Sequence, residues 1–210
     1  MQAYFSKTED VASGEFFDAF AQSLDSEQGK YLYQRRLARV LMSVLYVLGI
    51  RRAELIGLDV GDVDFSRKVL KVHGKGNKIR EIPLMDMLCE EILLYLKAVE
   101  LMAGRSRSLS EPLLVTYSGK RLYPTYVDRT VKQELSHVPG ISGRRSPHVL
   151  RHSLATGLLN SGADLNSIKE LLGHSSLAAT QVYTHSTIAK LKNIYESAHP
   201  RAKNGGKHGD

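Results

Sequence analysis

The stretch VLKVHGKGNKIREIPL, residues 69–84, decides the fold class. Two β-type runs, 69–73 and 79–84, flank a tip of Gly74, Lys75, Gly76, Asn77 and Lys78. Short apolar runs separated by glycine and asparagine read as a β-hairpin. Outward from it the period changes to that of helices. Phe16, Phe17, Phe20 and Leu24 recur at helical spacing, which predicts a helix over residues 10–24. Residues 31–48 form a longer one, basic early (Lys30, Arg35, Arg36, Arg39) and apolar late, so it runs into the core until Gly49 ends or bends it. A short helix follows at 52–58. Downstream, helices are predicted at 85–101, 126–135, 147–159, 165–172 and 187–198. LLVTY, residues 113–117, reads as a third strand before a Ser118-Gly119 turn. The fold class is therefore mainly α with one small antiparallel β-sheet (α+β).

Composition narrows the function. The 210 residues suit one domain with small appendages, and 42% hydrophobic content supports a real core. Lys and Arg outnumber Asp and Glu by 29 to 22, a net charge of +7, which favours a polyanionic partner. The longest apolar stretch, residues 40–50, is too short to span a bilayer. The opening MQAYFSKTED carries acids and no apolar run, unlike a signal peptide. Nucleic acid thus moves ahead of membrane. Cys89 is the single cysteine, so no internal disulfide forms and a reducing cytoplasm fits. The tail HPRAKNGGKHGD is basic and glycine-rich, and residues 199–210 are expected to be flexible.

Several side chains could carry chemistry. Arg51, in GIRRAEL, follows the apolar helix, with Glu54 three residues on; the pair is either a surface ion pair or an arginine steadied toward a cleft. Arg52 is its rival. Lys75 at the hairpin tip could reach a phosphate, although Gly-Lys-Gly alone lacks the spacing of a phosphate-binding loop. Pro147 opens a helix carrying His148, Arg151 and His152, and helix N-termini favour anions. His148 and His152 stand four apart, but Val149 occupies the place of the glutamate a zinc-protease motif needs, so no metal is expected. His174 follows LLG, and Tyr183 comes nine residues later. A tyrosine hydroxyl with a pKa near ~10 is a poor nucleophile unless a base or cations assist it.

The order of these motifs resembles the catalytic domain of the tyrosine recombinases, the phage integrase family, nearest to the bacterial Xer-type recombinases and integrases. The resemblance rests on Arg in GIRRAEL, Lys in HGKGNK, His-x-x-Arg in PHVLRH, His in LLGHSS and Tyr in VYTH, and it covers nearly the whole chain. It implies residues 1–198 as the catalytic domain. Arg51, Arg151 and His174 would hold the scissile phosphate. Lys75 would protonate the leaving 5′ oxygen. His148 would assist as base or donor, and Tyr183 would attack phosphorus. Glu54 would be structural. The family reaction runs through a 3′-phosphotyrosyl intermediate and a Holliday junction, with no cofactor.

The resemblance further implies double-stranded DNA as partner and a tetramer on paired sites with exchange of the C-terminal helix. The chain alone would be a monomer, and a second recombinase or a DNA translocase would be a candidate regulator. The family's N-terminal core-binding domain is expected to be absent from this chain. Two other readings stay open: relaxation of DNA as by a type IB topoisomerase, and a catalytically silent DNA-binding regulator.

Overall fold

The computed structural model describes residues 4–5, 14–74, 78–138, 141, 143–160 and 162–173. Among these the chain forms helices α1 (Gly14–Gln22), α2 (Glu27–Leu48) and α3 (Arg52–Gly57), then strands β1 (Val63–Asp64), β2 (Val69–His73) and β3 (Ile79–Pro83). Helices α4 (Asp86–Ala103), α5 (Pro124–Ser136), α6 (Pro147–Asn160) and α7 (Leu165–Leu171) complete it. The expected helix at 187–198 and the tail lie outside the described residues.

Helix α2 is the axis of the domain, packed against α1, α4, α5 and α6. Ser26 starts it, its hydroxyl accepting the Gly29 N–H at 3.1 Å, the usual device for an orphan N-terminal amide. From Val40 to Leu48 it is almost wholly apolar and, Tyr46 apart, buried, as suits a central helix. Burying each leucine or valine there contributes about 1.5–3 kcal/mol. Gly49 ends it at φ 59°, its N–H returning to the Leu45 carbonyl. That left-handed turn favours glycine. A Cβ there would also lie 2.6 Å from Leu154 and 2.7 Å from Leu172, so α6 and the end of α7 press directly on the cap.

The basic start of α2 is not a solvated face. Arg36 and Arg39 are buried and both donate to the Glu91 carboxylate of α4. Burial of this acid works to raise its pKa, but the two guanidiniums overcome that and hold it below its usual value.

The sheet order is β1-β2-β3, all antiparallel, with Leu70 opposite Ile82 and Val72 opposite Arg80. The third strand differs from the sequence expectation. It is Val63–Asp64, while residues 113–117 make only an isolated bridge between Val115 and Arg121. Two buried tyrosines explain this. Tyr33 Oη donates to the Val115 carbonyl at 2.8 Å, and the Val115 N–H donates to Tyr95 Oη at 2.9 Å. At Val115, the middle of the run, the backbone groups a strand would spend on a ladder are satisfied by side chains.

Candidate active site

Three elements meet where α2 ends. Arg51 caps α3, and its own N–H donates to Glu54 Oε2 at 2.7 Å while its guanidinium reaches Glu54 Oε1 at 2.9 Å. A second guanidinium nitrogen donates to the Gly173 carbonyl at 3.1 Å. The Arg51–Glu54 pair is therefore no surface ion pair: the Glu54 side chain is 5% exposed.

Arg151 comes from the second turn of α6 and is buried. It donates to the Gly49 carbonyl at 2.6 Å and the Leu172 carbonyl at 2.5 Å. These bonds use two of five guanidinium N–H donors. Burial first, then the charges of Arg51 and Arg80, with Glu54 opposing, pull the Arg151 guanidinium down to about 10. Three guanidiniums thus crowd one carboxylate, and an anion entering there would relieve their repulsion.

Arg80 is the residue that the sequence reading passed over. From β3 it grips Glu54 with both terminal nitrogens at 2.9 Å each. Burial raises the Glu54 pKa, but the hydrogen bonds and charge of Arg80, and then Arg51, drive it below the usual carboxylate value. A signal was available. In the alternation of IREIPL, Arg80 shares the inward register with Ile82 and Leu84, all buried. An arginine at a core-facing strand position needs a buried partner.

His148 is exposed and lines a cleft of about 530 Å³ with Arg52, Arg129, Lys132, Arg144 and Arg145. Asp128, the acid of that cleft, pairs with Arg52. Among the described residues no hydrogen bond joins His148 to Arg151, three residues on along the same helix. Lys75, His174 and Tyr183 lie outside the described residues. The residues that precede Lys75 and His174 are described: Gly74 closes the hairpin stem, its N–H donating to the Lys78 carbonyl at 2.7 Å, and Gly173 ends the α7 turn at φ 68°.

A helical domain with one three-stranded sheet, and two arginines brought from the cap of α3 and the second turn of α6 onto the turn before His174, defines a class that comparison identifies. The model of the phage integrase family matches residues 23–190, and the chain belongs to that family. It is 44% identical over 168 residues to the tyrosine recombinase XerC of Chlorobaculum parvum, covering 78% of this chain and 49% of that protein. The XerC of Chlorobaculum tepidum is 40% identical over 191 residues, covering 86% and 56%. The chain therefore spans about half the length of these curated relatives. Among solved structures, the XerH site-specific recombinase bound to its difH substrate, a pre-cleavage complex, superposes with a TM-score of 0.59 at 23% identity, over 87% of this chain and 49% of that one. The mainly helical fold with its small sheet is that of the recombinase catalytic domains.

Proposed function

We propose that this chain breaks and rejoins DNA as the catalytic domain of a site-specific recombinase. The observation that carries this reading is the convergence of Arg51 and Arg151, 100 residues apart in sequence, on the Gly49–Gly173 corner. Tyr183 Oη forms a bond to a DNA phosphorus as the bond from phosphorus to the 5′ oxygen breaks. His148 takes up the tyrosine proton, and Lys75 gives one to the departing 5′ oxygen. The product is a 3′-phosphotyrosyl linkage and a free 5′-hydroxyl. A 5′-hydroxyl from a partner duplex reverses the step, and two such exchanges pass through a Holliday junction. One phosphoester replaces another, so no energy source or cofactor is consumed.

Negative charge grows on the nonbridging oxygens in the transition state, and Arg51, Arg151 and His174 meet it as fixed donors. Removing one such donor typically costs about 10²–10³ in rate. The cleft beside His148, with its four arginines and one lysine, supports binding of the flanking phosphates. In this reading the chain works in the cytoplasm, as four copies on two paired DNA sites.

The test uses a pool of nicked duplexes randomised over the core, in which the cleaved fragment diffuses away and traps the covalent complex. The chain is expected to yield an adduct that survives denaturation, and sequencing the trapped DNA identifies its site. Y183F should bind that duplex and trap none of it. An adduct formed by Y183F would remove Tyr183 from its role, and no adduct from the unaltered chain would sink the proposal.

A further inference from the structure

We infer that Arg80 is a positioning residue for the cleavage step, the side chain on which the phosphate-holding segments are assembled. The inference rests on the recombinase reading above. Arg80 itself lies outside the motifs that carried that reading.

The Arg80 guanidinium touches three segments at once. On one side it holds both Glu54 oxygens, and Glu54 in turn holds the backbone and guanidinium of Arg51. Beyond it lies Gly173, the residue before His174. A Cβ on Gly173 would stand 3.0 Å from one terminal nitrogen of Arg80 and 3.1 Å from its Cζ, so the Gly173 backbone lies close against the guanidinium and a side chain there would crowd it. Toward the hairpin, a Cβ on Gly74 would stand 3.9 Å from the same terminal nitrogen, and Gly74 precedes Lys75. One planar cation is thus packed against the residues adjoining Lys75 and His174 and bonded to the acid that orients Arg51.

Its bonding sets it apart from Arg151, which is as buried: both terminal nitrogens of Arg80 are taken by the Glu54 carboxylate, whereas the hydrogen bonds of Arg151 among the described residues go to neutral carbonyls. The Arg80 side chain is 10% exposed, against 40% for Arg51. Its Nε is also buried and has no hydrogen-bond partner among the described residues. A guanidinium so committed to Glu54 acts on a phosphate through Arg51 and the Gly173 turn rather than by contact. Lysine cannot reproduce the grip, because it offers a point charge where Glu54 is held by a two-pronged fork.

The test compares the chain with R80K and R80Q on the duplex recovered from the randomised pool, in single-turnover cleavage with DNA in excess. The amplitude reports the folded, competent fraction, and the first-order rate constant reports the geometry of the site. Both variants are expected to bind the duplex within about twofold of the unaltered chain. Their rate constants should fall at least about tenfold. A 5′-bridging phosphorothiolate, whose sulfur leaves without a proton, should not restore the rate, because the defect lies in phosphate positioning. Loss of amplitude with an unchanged rate constant would reduce Arg80 to a structural ion pair and overturn the inference, and full rescue by the sulfur substrate would overturn it equally. Where R80Q does not fold, R80K carries the test through its retained charge. If the unaltered chain forms no adduct, the function proposed above falls and this inference with it. If that chain cleaves and R80K keeps its rate constant, only the inference falls.

Discussion

Arg36 and Arg39 converge on Glu91 where α2 packs against α4, and Arg51 and Arg80 converge on Glu54 where α3 meets the hairpin. The two clusters use the same chemistry, yet they are closed to different degrees. In the first, the side chains are 0%, 2% and 6% exposed. In the second, Glu54 and Arg80 are almost as enclosed, but Arg51 opens 40% of its side chain to solvent. The second also gains Arg151, whose hydrogen bonds among the described residues go to neutral carbonyls. A sealed cluster can only hold helices together. A cluster with a cation at its rim and a surplus of positive charge can also hold something that is not protein. Buried arginine around glutamate is therefore not by itself a sign of function here, and the opening toward solvent makes the difference.

That comparison can be broken most sharply at Glu91. E91Q leaves two buried guanidiniums facing a neutral amide, and breaking a buried ion pair in this way costs about 3–5 kcal/mol. Urea unfolding should register that loss, while the cleavage rate constant of the folded fraction stays within about twofold. A slowed rate constant in E91Q would mean the two clusters are not independent. R151K probes the other cluster. Its cleavage rate constant is expected to fall by about 10²–10³, or about 2.7–4 kcal/mol of barrier. Should the loss of rate merely track the loss of stability, the second cluster is as structural as the first.

The smallest effect is on pH dependence, which both clusters share. Glu54 and Glu91 each have a folded pKa held below the ordinary carboxylate value by their arginines, against the opposing pull of burial. Their contribution to stability is complete above the unfolded value of about 4.3. It is lost as pH falls through the depressed folded value. Melting temperature should therefore hold steady from about pH 7 to pH 5 and drop below about pH 4. E54Q should start lower and show a shallower acid drop, as followed by calorimetry. An acid drop in E54Q as deep as in the unaltered chain would mean that Glu54 is not linked to stability in this way.

Much of this architecture was legible in the chain. The hairpin strands were read from β-branched runs around a glycine-rich tip, and β2 falls on Val69–His73 as expected. Helix positions followed from apolar spacing, because most helices bury one face against α2. What stayed hidden depended on partners distant in sequence. Residues 113–117 look like a strand, but Tyr33 and Tyr95 take the backbone bonds of Val115 at its middle. Arg36 and Arg39 read as a basic helix start, and their acid lies more than 50 residues away. In the site, Arg51 and Arg151 were legible through motif order and the structure brings them to one corner. His148 was legible as well, yet it lines the cleft beside that corner. Arg80 was visible only as an interruption of strand alternation, a signal whose meaning appears once Glu54 is seen beneath it.

The carbonyl of Gly49 has a bearing on how the molecule comes into being. Its bond to Arg151 closes a span of 102 residues, and the bond from Arg51 to Gly173 closes one of 122. The contact between Arg39 and Glu91 closes only 52. A chain made from its N-terminus can therefore assemble α1, α2 and α4 around their own ion pair while the phosphate corner is still missing half its parts. Contacts of such long separation form late. During synthesis, the contacts around Glu91 can form before the corner where Arg51 and Arg151 meet exists at all.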